Sequence, residues 1–181
     1  MAIKSAIINV MERAARKAAR GLLRDLGEVG ALQVSEKGPA NFVSAADVRA
    51  EKTIRADLEK ARPDFGFLLE EGGAVKGKDR EHRWVVDPLD GTTTFLHGIP
   101  HFAISIALER LPDGDAANAE LVAGLILDPA LDEMFWAEKG QGAFLNDRRI
   151  RVSSRKQLRD SLIATGIPTM HRTDHQVFLA R

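Results

Sequence analysis

The stretch Trp84-Val85-Val86-Asp87-Pro88-Leu89-Asp90-Gly91-Thr92-Thr93-Thr94-Phe95 constrains this chain more than any other. Its apolar opening has the length and character of a short buried strand, and it runs straight into a carboxylate. Pro88 has no N–H to give a sheet ladder, and Gly91 permits the sharp turn that must follow. Asp87 and Asp90 are therefore held three residues apart on a stiff loop at a strand end. Two ionised carboxylates about 4 Å apart repel by roughly 4 kcal/mol at an effective dielectric of about 20. A cation between them removes that cost, and an all-oxygen donor set suits Mg²⁺, Mn²⁺ or Ca²⁺ better than zinc. Behind the acids come the Gly91 amide and three hydroxyls, Thr92 to Thr94, the materials of an anion cradle. The pattern is that of a metal site built to hold a phosphate.

The motif repeats in weaker form upstream. Phe67-Leu68-Leu69 is a short apolar run that ends in Glu70-Glu71 and is followed by Gly72-Gly73. Both acidic strand ends are expected at the same edge of one sheet, with Glu70 assigned to metal and Glu71 read as a solvated turn residue. Ser44 precedes a helical pattern over residues 45–61 that Pro63 closes, and Asp47 completes something like a capping box. Read on residues alone, Asp47 is a helix cap, although a carboxylate has a second oxygen for other work. His97 and His101 flank Pro100 and read as structural, with the His97 ring bonding backbone. Trp84 and Trp136 are assigned to the core.

The ordered run Asp87-Pro-Leu-Asp-Gly-Thr-Thr93, with Phe95, His97-Gly98 and Pro100 behind it, resembles the first signature of the inositol monophosphatase family. The likeness extends to Glu70-Glu71, similar to the family's acidic pair, and to Asp47. Position 94 departs from the pattern, with Thr where the family usually has Asn. The family's second signature, a Trp-Asp-x-Ala-Ala-Gly block, is absent as far as Arg181.

What the resemblance implies is specific. The fold class is α+β, a layered α/β sandwich of the sugar-phosphatase type with two N-terminal helices packed on an antiparallel sheet and a truncated second α/β domain. The activity is Mg²⁺-dependent hydrolysis of a small phosphomonoester. Myo-inositol monophosphate is the leading substrate, with histidinol phosphate or another sugar or nucleotide phosphate as alternatives. Mn²⁺ is expected to substitute, and Li⁺ and Ca²⁺ to inhibit. Glu70, Asp87 and the Leu89 carbonyl match the first metal site, and Asp87 with Asp90 the second, so all four should converge on one centre. The catalytic set is Asp47, Glu70 and Thr92, with Asp47 orienting the threonine. Glu70, Leu89, Asp90, Gly91, Thr92 and Thr93 would contact substrate. A homodimer is also implied. Because the absent block carries a further aspartate for the second ion, the reading from another class is a catalytically silent phosphatase-like module that acts by protein contact.

The rest of the chain fits this frame. Its 181 residues suit one domain, or one and part of another. A metal- and phosphate-binding domain is expected over residues 1–160 and the start of a second over 161–181, opening with a strand at 162–166 and continuing as loop and helix from Pro168. Ile7, Val10, Met11, Ala14, Ala18, Leu22 and Leu26 recur at helical spacing and predict a helix over 3–26. Arg13, Arg16, Lys17, Arg20 and Arg24 follow its solvent face, not a nucleic-acid stripe. Residues 32–43 read as a strand broken by a turn at Lys37-Gly38-Pro39. Further strands are predicted at 102–108, 121–127, 133–137, 143–145 and 149–152, with Asn146-Asp147 as a turn. Lys+Arg and Asp+Glu are both 26, which argues against a nucleic-acid partner. Cysteine is absent, which excludes disulfides, thiolate chemistry and Cys-based zinc. No apolar run is long enough to span a bilayer, and charges follow residues 6–10 too closely for a signal peptide, so a cytoplasmic location is expected and no membrane partner.

Overall fold

The computed structural model describes residues 3–28, 34–38 and 41–164. Helical spacing near the N-terminus produces α1 (Ala6–Leu26), which starts late because Ser5 caps it, accepting the Ile8 N–H on its side chain. Its buried stripe runs through Ile8, Met11, Ala15, Ala18 and Leu22, with Ile7 and Val10 half-buried at the margin. The basic residues lie on the outer face, as expected. Arg16 pairs with Glu12 at 2.9 Å and Asp132 at 2.7 Å, and Lys17 with Asp57 at 2.6 Å.

Strands β1 (Val34–Gly38) and β2 (Asn41–Ser44) form a two-stranded antiparallel sheet, and Pro39 of the expected turn lies outside the described residues. Helix α2 (Ala45–Ala61) follows β2 without a gap. Then come β3 (Gly66–Leu69), β4 (Gly73–Val75), β5 (His82–Asp90), the short α3 (Thr92–Leu96), β6 (Ala103–Arg110), β7 (Glu120–Asp128), β8 (Glu133–Glu138), β9 (Gly142–Leu145) and β10 (Arg148–Ile150). The eight strands from β3 onward make one sheet in the order β10-β9-β8-β7-β6-β5-β3-β4.

The antiparallel meander holds from β5 to β10, but the sheet is mixed. β3 and β5 run parallel, with Leu69 opposite Val86. The reason is β4, which turns back along the outer edge of β3, so that the chain must re-enter on the far side in β3's own direction. This parallel pair puts two strand C-termini side by side.

Helices α1 and α2 pack together on one face, α2 against β5 and α1 against β6 and β7. Strand alternation sends every second residue toward them. One row of facing residues crosses the sheet as Leu69, Val86, Ile106, Leu125, Trp136 and Phe144. Trp84 and Trp136 are both buried. The Trp136 ring stacks on Phe144 with centroids 4.1 Å apart and donates its indole N–H to the Asn146 carbonyl at 2.8 Å. Ile126 and Phe135 have the opposite parity and stay exposed on the outer face.

After β10 the chain contributes a 3₁₀ turn, Leu158–Asp160, and residues 161–164 are exposed and form no strand. The expected strand at 162–166 is therefore not present in its first three residues, where no described strand lies alongside to pair with them. Its remainder, and the expected loop and helix beyond Pro168, lie outside the described residues. Among the described residues no helix is long and apolar enough to cross a membrane.

Candidate active site

Two strand ends and the first turn of α2 meet at one edge of the large sheet. Ser44 caps α2, its side chain accepting the Ala46 and Asp47 N–H groups at 3.1 and 3.4 Å. Asp47 reciprocates, its Oδ2 accepting the Ser44 N–H at 2.8 Å and the Ser44 hydroxyl. That leaves Oδ1, which accepts the Thr92 hydroxyl at 3.2 Å. One carboxylate, only 1% exposed, thus both caps its own helix and holds a threonine 45 residues along the chain. The Leu89 carbonyl is a second acceptor for the same hydroxyl, at 3.1 Å.

The Glu70 N–H bonds the Val86 carbonyl at 3.1 Å, carrying the parallel ladder one residue past β3. Its side chain consequently lands beside Asp87, to which it hydrogen-bonds. The Leu89 N–H donates to Asp87 Oδ1 at 3.1 Å, fixing that carboxylate over the turn. Burial pushes the Asp87 carboxyl above its ordinary range. The Asp90 and Asp47 charges push the same way, against the hydrogen bonds of Glu70 and Leu89.

Asp90 stands apart. Asp87 faces Ser105 and Asp90 faces Ala103, so Pro88 and Leu89 of β5 oppose the single Ile104 of β6 in a bulge. The bulge lets Pro88 and Leu89 both turn inward and leaves Asp90 exposed. Among the described residues no three His, Asp or Glu side chains gather closely enough to hold one ion. Of the four groups expected to converge on one centre, Glu70 and Asp87 are joined by a hydrogen bond, the Leu89 N–H holds Asp87, and the Asp90 charge acts on Asp87. What the turn offers is two carboxylates and a nearby carbonyl, a hard-oxygen set that fits an ion of the Mg²⁺ class completed by water.

Gly91 closes the bulge with φ +94, and a Cβ there would lie 2.9 Å from the His101 carbonyl oxygen and 3.2 Å from Phe102 Cα. No side chain fits. The turn opens α3, whose first amides have no partner inside the helix and no side-chain cap. Thr93 is exposed there, while the Thr94 hydroxyl bonds the Gly91 carbonyl at 2.7 Å and bridges to that of His101. Thr94 thereby ties the turn together where the family pattern has Asn. The His97 Nδ1 sits 2.7 Å from the Thr93 carbonyl, the backbone role expected of it.

A buried acid beside the site, Glu51, escaped the sequence reading. Glu51 lies one helical turn after Asp47, and its Oε2 accepts the Glu71 N–H at 2.8 Å. The available signal was its spacing, four residues from Asp47 and so on the same face of α2.

The sequence pattern of the inositol monophosphatase family matches residues 3–180. The chain is 57% identical over 176 residues to the inositol-1-monophosphatase of Rhizobium meliloti, covering 97% of this chain and 64% of that protein. It is 42% identical over 164 residues to the Nus factor SuhB of Pseudomonas aeruginosa, covering 90% and 58% respectively. The crystal structure of the extragenic suppressor protein suhB from Bartonella henselae superposes with a TM-score of 0.88 at 57% identity, over 97% of this chain and 64% of that one. The chain thus spans a little under two thirds of the length of these relatives, and from the match along nearly all of its own length it belongs to the inositol monophosphatase family.

Proposed function

We propose that the protein is a Mg²⁺-dependent phosphomonoesterase acting on myo-inositol monophosphate, with Mn²⁺ able to substitute and Li⁺ and Ca²⁺ inhibitory. The observation that carries this reading is the divided use of Asp47, whose Oδ1 holds the Thr92 hydroxyl beside the Glu70–Asp87 pair. A carboxylate serving only as a cap has no need of a threonine from a distant loop.

Glu70, Asp87 and the Leu89 carbonyl would hold one ion, and Asp87 with Asp90 a second. Such ions, when bound, neutralise phosphate charge and acidify water. The chain's own groups do the positioning that phosphoryl transfer mostly requires. With its proton directed at Asp47 or Leu89, the Thr92 oxygen keeps a lone pair to accept a hydrogen bond from the attacking water. The amides of Gly91, Thr92 and Thr93, at the start of α3 that no side chain caps, would face the phosphate oxygens, with Asp90 at the rim. The family resemblance further supports a cytoplasmic homodimer. Histidinol phosphate and other sugar or nucleotide phosphates remain the alternative substrates.

The test is phosphate release from myo-inositol 1-phosphate, histidinol phosphate and fructose 1,6-bisphosphate with Mg²⁺, for the wild type and Thr92→Val. Release that favours the inositol ester and is lost in the variant supports the proposal.

A second reading keeps the fold and drops the chemistry: a phosphatase-like module that acts by protein contact. It is supported by the relatives named as Nus factors and by Ile126 and Phe135 on the outer sheet face. Mg²⁺ binding without phosphate release from any ester would favour it.

A further inference from the structure

We propose that Glu51 is a positioning residue that fixes the Glu70 loop for cation binding, an inference that rests on the metal reading above. Glu51 is 7% exposed, on the same face of α2 as Asp47. Taking a carboxylate out of water is unfavourable unless it is well hydrogen-bonded. Its bond is to the Glu71 N–H at 2.8 Å, the residue next to the candidate ligand Glu70.

The loop is built around this contact. A Cβ on Gly72 would stand 3.0 Å from Glu51 Oε1 and 3.0 Å from Leu69 Cδ1. Gly72 is not among the glycines with positive φ, so its lack of a side chain answers to space and not to backbone conformation. The Glu70 backbone is held from one side by the Val86 carbonyl and the Glu71 backbone from the other by Glu51. Between these two anchors the Glu70 carboxylate is presented to Asp87. Helix α2 therefore clamps both acidic strand ends from one face, Asp47 gripping the loop after β5 and Glu51 the loop after β3.

The experiment titrates Mn²⁺ alone into the 181-residue chain, followed by its electron paramagnetic resonance signal, with urea unfolding measured in parallel. The variants are Glu51→Ala, Glu51→Gln, Gly72→Ala and, as control, Glu70→Gln. Partners that orient metal ligands are typically worth about 10–100-fold in affinity, and Glu51→Ala should weaken Mn²⁺ by that much. Glu51→Gln keeps an acceptor for the Glu71 amide and should stay within about threefold of wild type, since geometry and not charge is the contribution. Gly72→Ala pushes the Glu51 carboxylate aside without altering any charge. It should weaken Mn²⁺ as Glu51→Ala does, and it carries the test if Glu51→Ala does not fold. Wild-type affinity in Glu51→Ala and Gly72→Ala, with binding lost in Glu70→Gln, overturns the role of Glu51 and leaves the metal reading standing. Equal weakening in Glu51→Gln and Glu51→Ala also overturns it, because charge would then be the contribution. Wild-type affinity in Glu70→Gln removes the metal reading itself.

Discussion

Replacing Asp47 by Asn separates the two jobs of its carboxylate. The amide oxygen must take the Oδ2 position, because the Ser44 N–H needs an acceptor, at 2.8 Å in the native protein. The NH₂ group then faces Thr92, and the threonine changes from donor to acceptor. Its own proton passes to the Leu89 carbonyl, already 3.1 Å away. The hydrogen bonds are all retained and Asn caps a helix about as well as Asp, so stability should change by less than about 1 kcal/mol. Asp47→Ala is the contrast. It removes the acceptor of the Ser44 N–H and leaves that donor buried and unpaired, at about 1–3 kcal/mol. At about 2–4 °C per kcal/mol for a chain of this size, calorimetry should show a fall of roughly 2–12 °C for Ala and little for Asn. In phosphate-release assays the Asn variant should still be slowed about 10²–10⁴-fold, because the neutral amide cannot take up a proton relayed from the attacking water through Thr92. An unchanged rate in Asp47→Asn refutes the action of Asp47 through Thr92. Melting as low as that of the Ala variant refutes the account of the cap.

The other expectations are independent of that pair. Gly91→Ala forces a side chain into φ +94 and against the His101 carbonyl at 2.9 Å, and should lower stability by about 2 kcal/mol or more in urea unfolding. At 100 times its Kd, Mg²⁺ should add about 2.7 kcal/mol, or roughly 5–10 °C in Tm. Asp87→Asn should abolish that rise. Because the native fold disfavours ionised Asp87, stability is lost as pH rises through its raised pKa, so this variant should outlast the metal-free wild type at neutral pH and match it in acid. Glu12 behaves oppositely. Burial alone would raise its carboxyl, but the Lys4 and Arg16 hydrogen bonds hold it below the ordinary range, so its stabilisation is present at neutral pH and lost as pH falls through that lowered value. Glu12→Gln should cost under about 1 kcal/mol at neutral pH, partly exposed as the pair is, and the difference should shrink as pH falls through the lowered value, by denaturant titration across the acid range.

Where the fold was legible, a local chemical signal marked the element. The span of α2 is bounded by the Ser44 cap and by Pro63, two residues after its end, so its limits match the expectation. Asn146, at φ 51, takes the left-handed turn that an Asn tolerates, and the hairpin between β9 and β10 follows. The parallel alignment of β3 with β5 had no such mark. Apolar alternation reports which side of a strand is buried, and it carries no information on a neighbour's direction. That direction depends on β4, three residues with no periodicity, which form a strand only because the edge of β3 lies beside them.

The site divides the same way. Glu70 and Asp87 could be placed together because each follows directly on an apolar run, and a strand end is a position the sequence marks. The parallel register then does the rest, setting Leu69 against Val86 so that the two acids are next in line. Asp90 was placed with them by its spacing and by the family resemblance, and neither reveals the bulge that separates it from Asp87 along the strand. One extra residue in β5 turns Pro88 and Leu89 both inward and rotates Asp90 out toward solvent. Glu51 went unread for the opposite reason: nothing around it marks a loop or strand end, and an acid inside a helix is ordinarily solvated. Only the partner it meets, an amide twenty residues away on β3's exit loop, makes its burial intelligible. The acids that follow strands are therefore visible from sequence. The residues on α2 that aim those strand ends become visible only once the helix is laid across them.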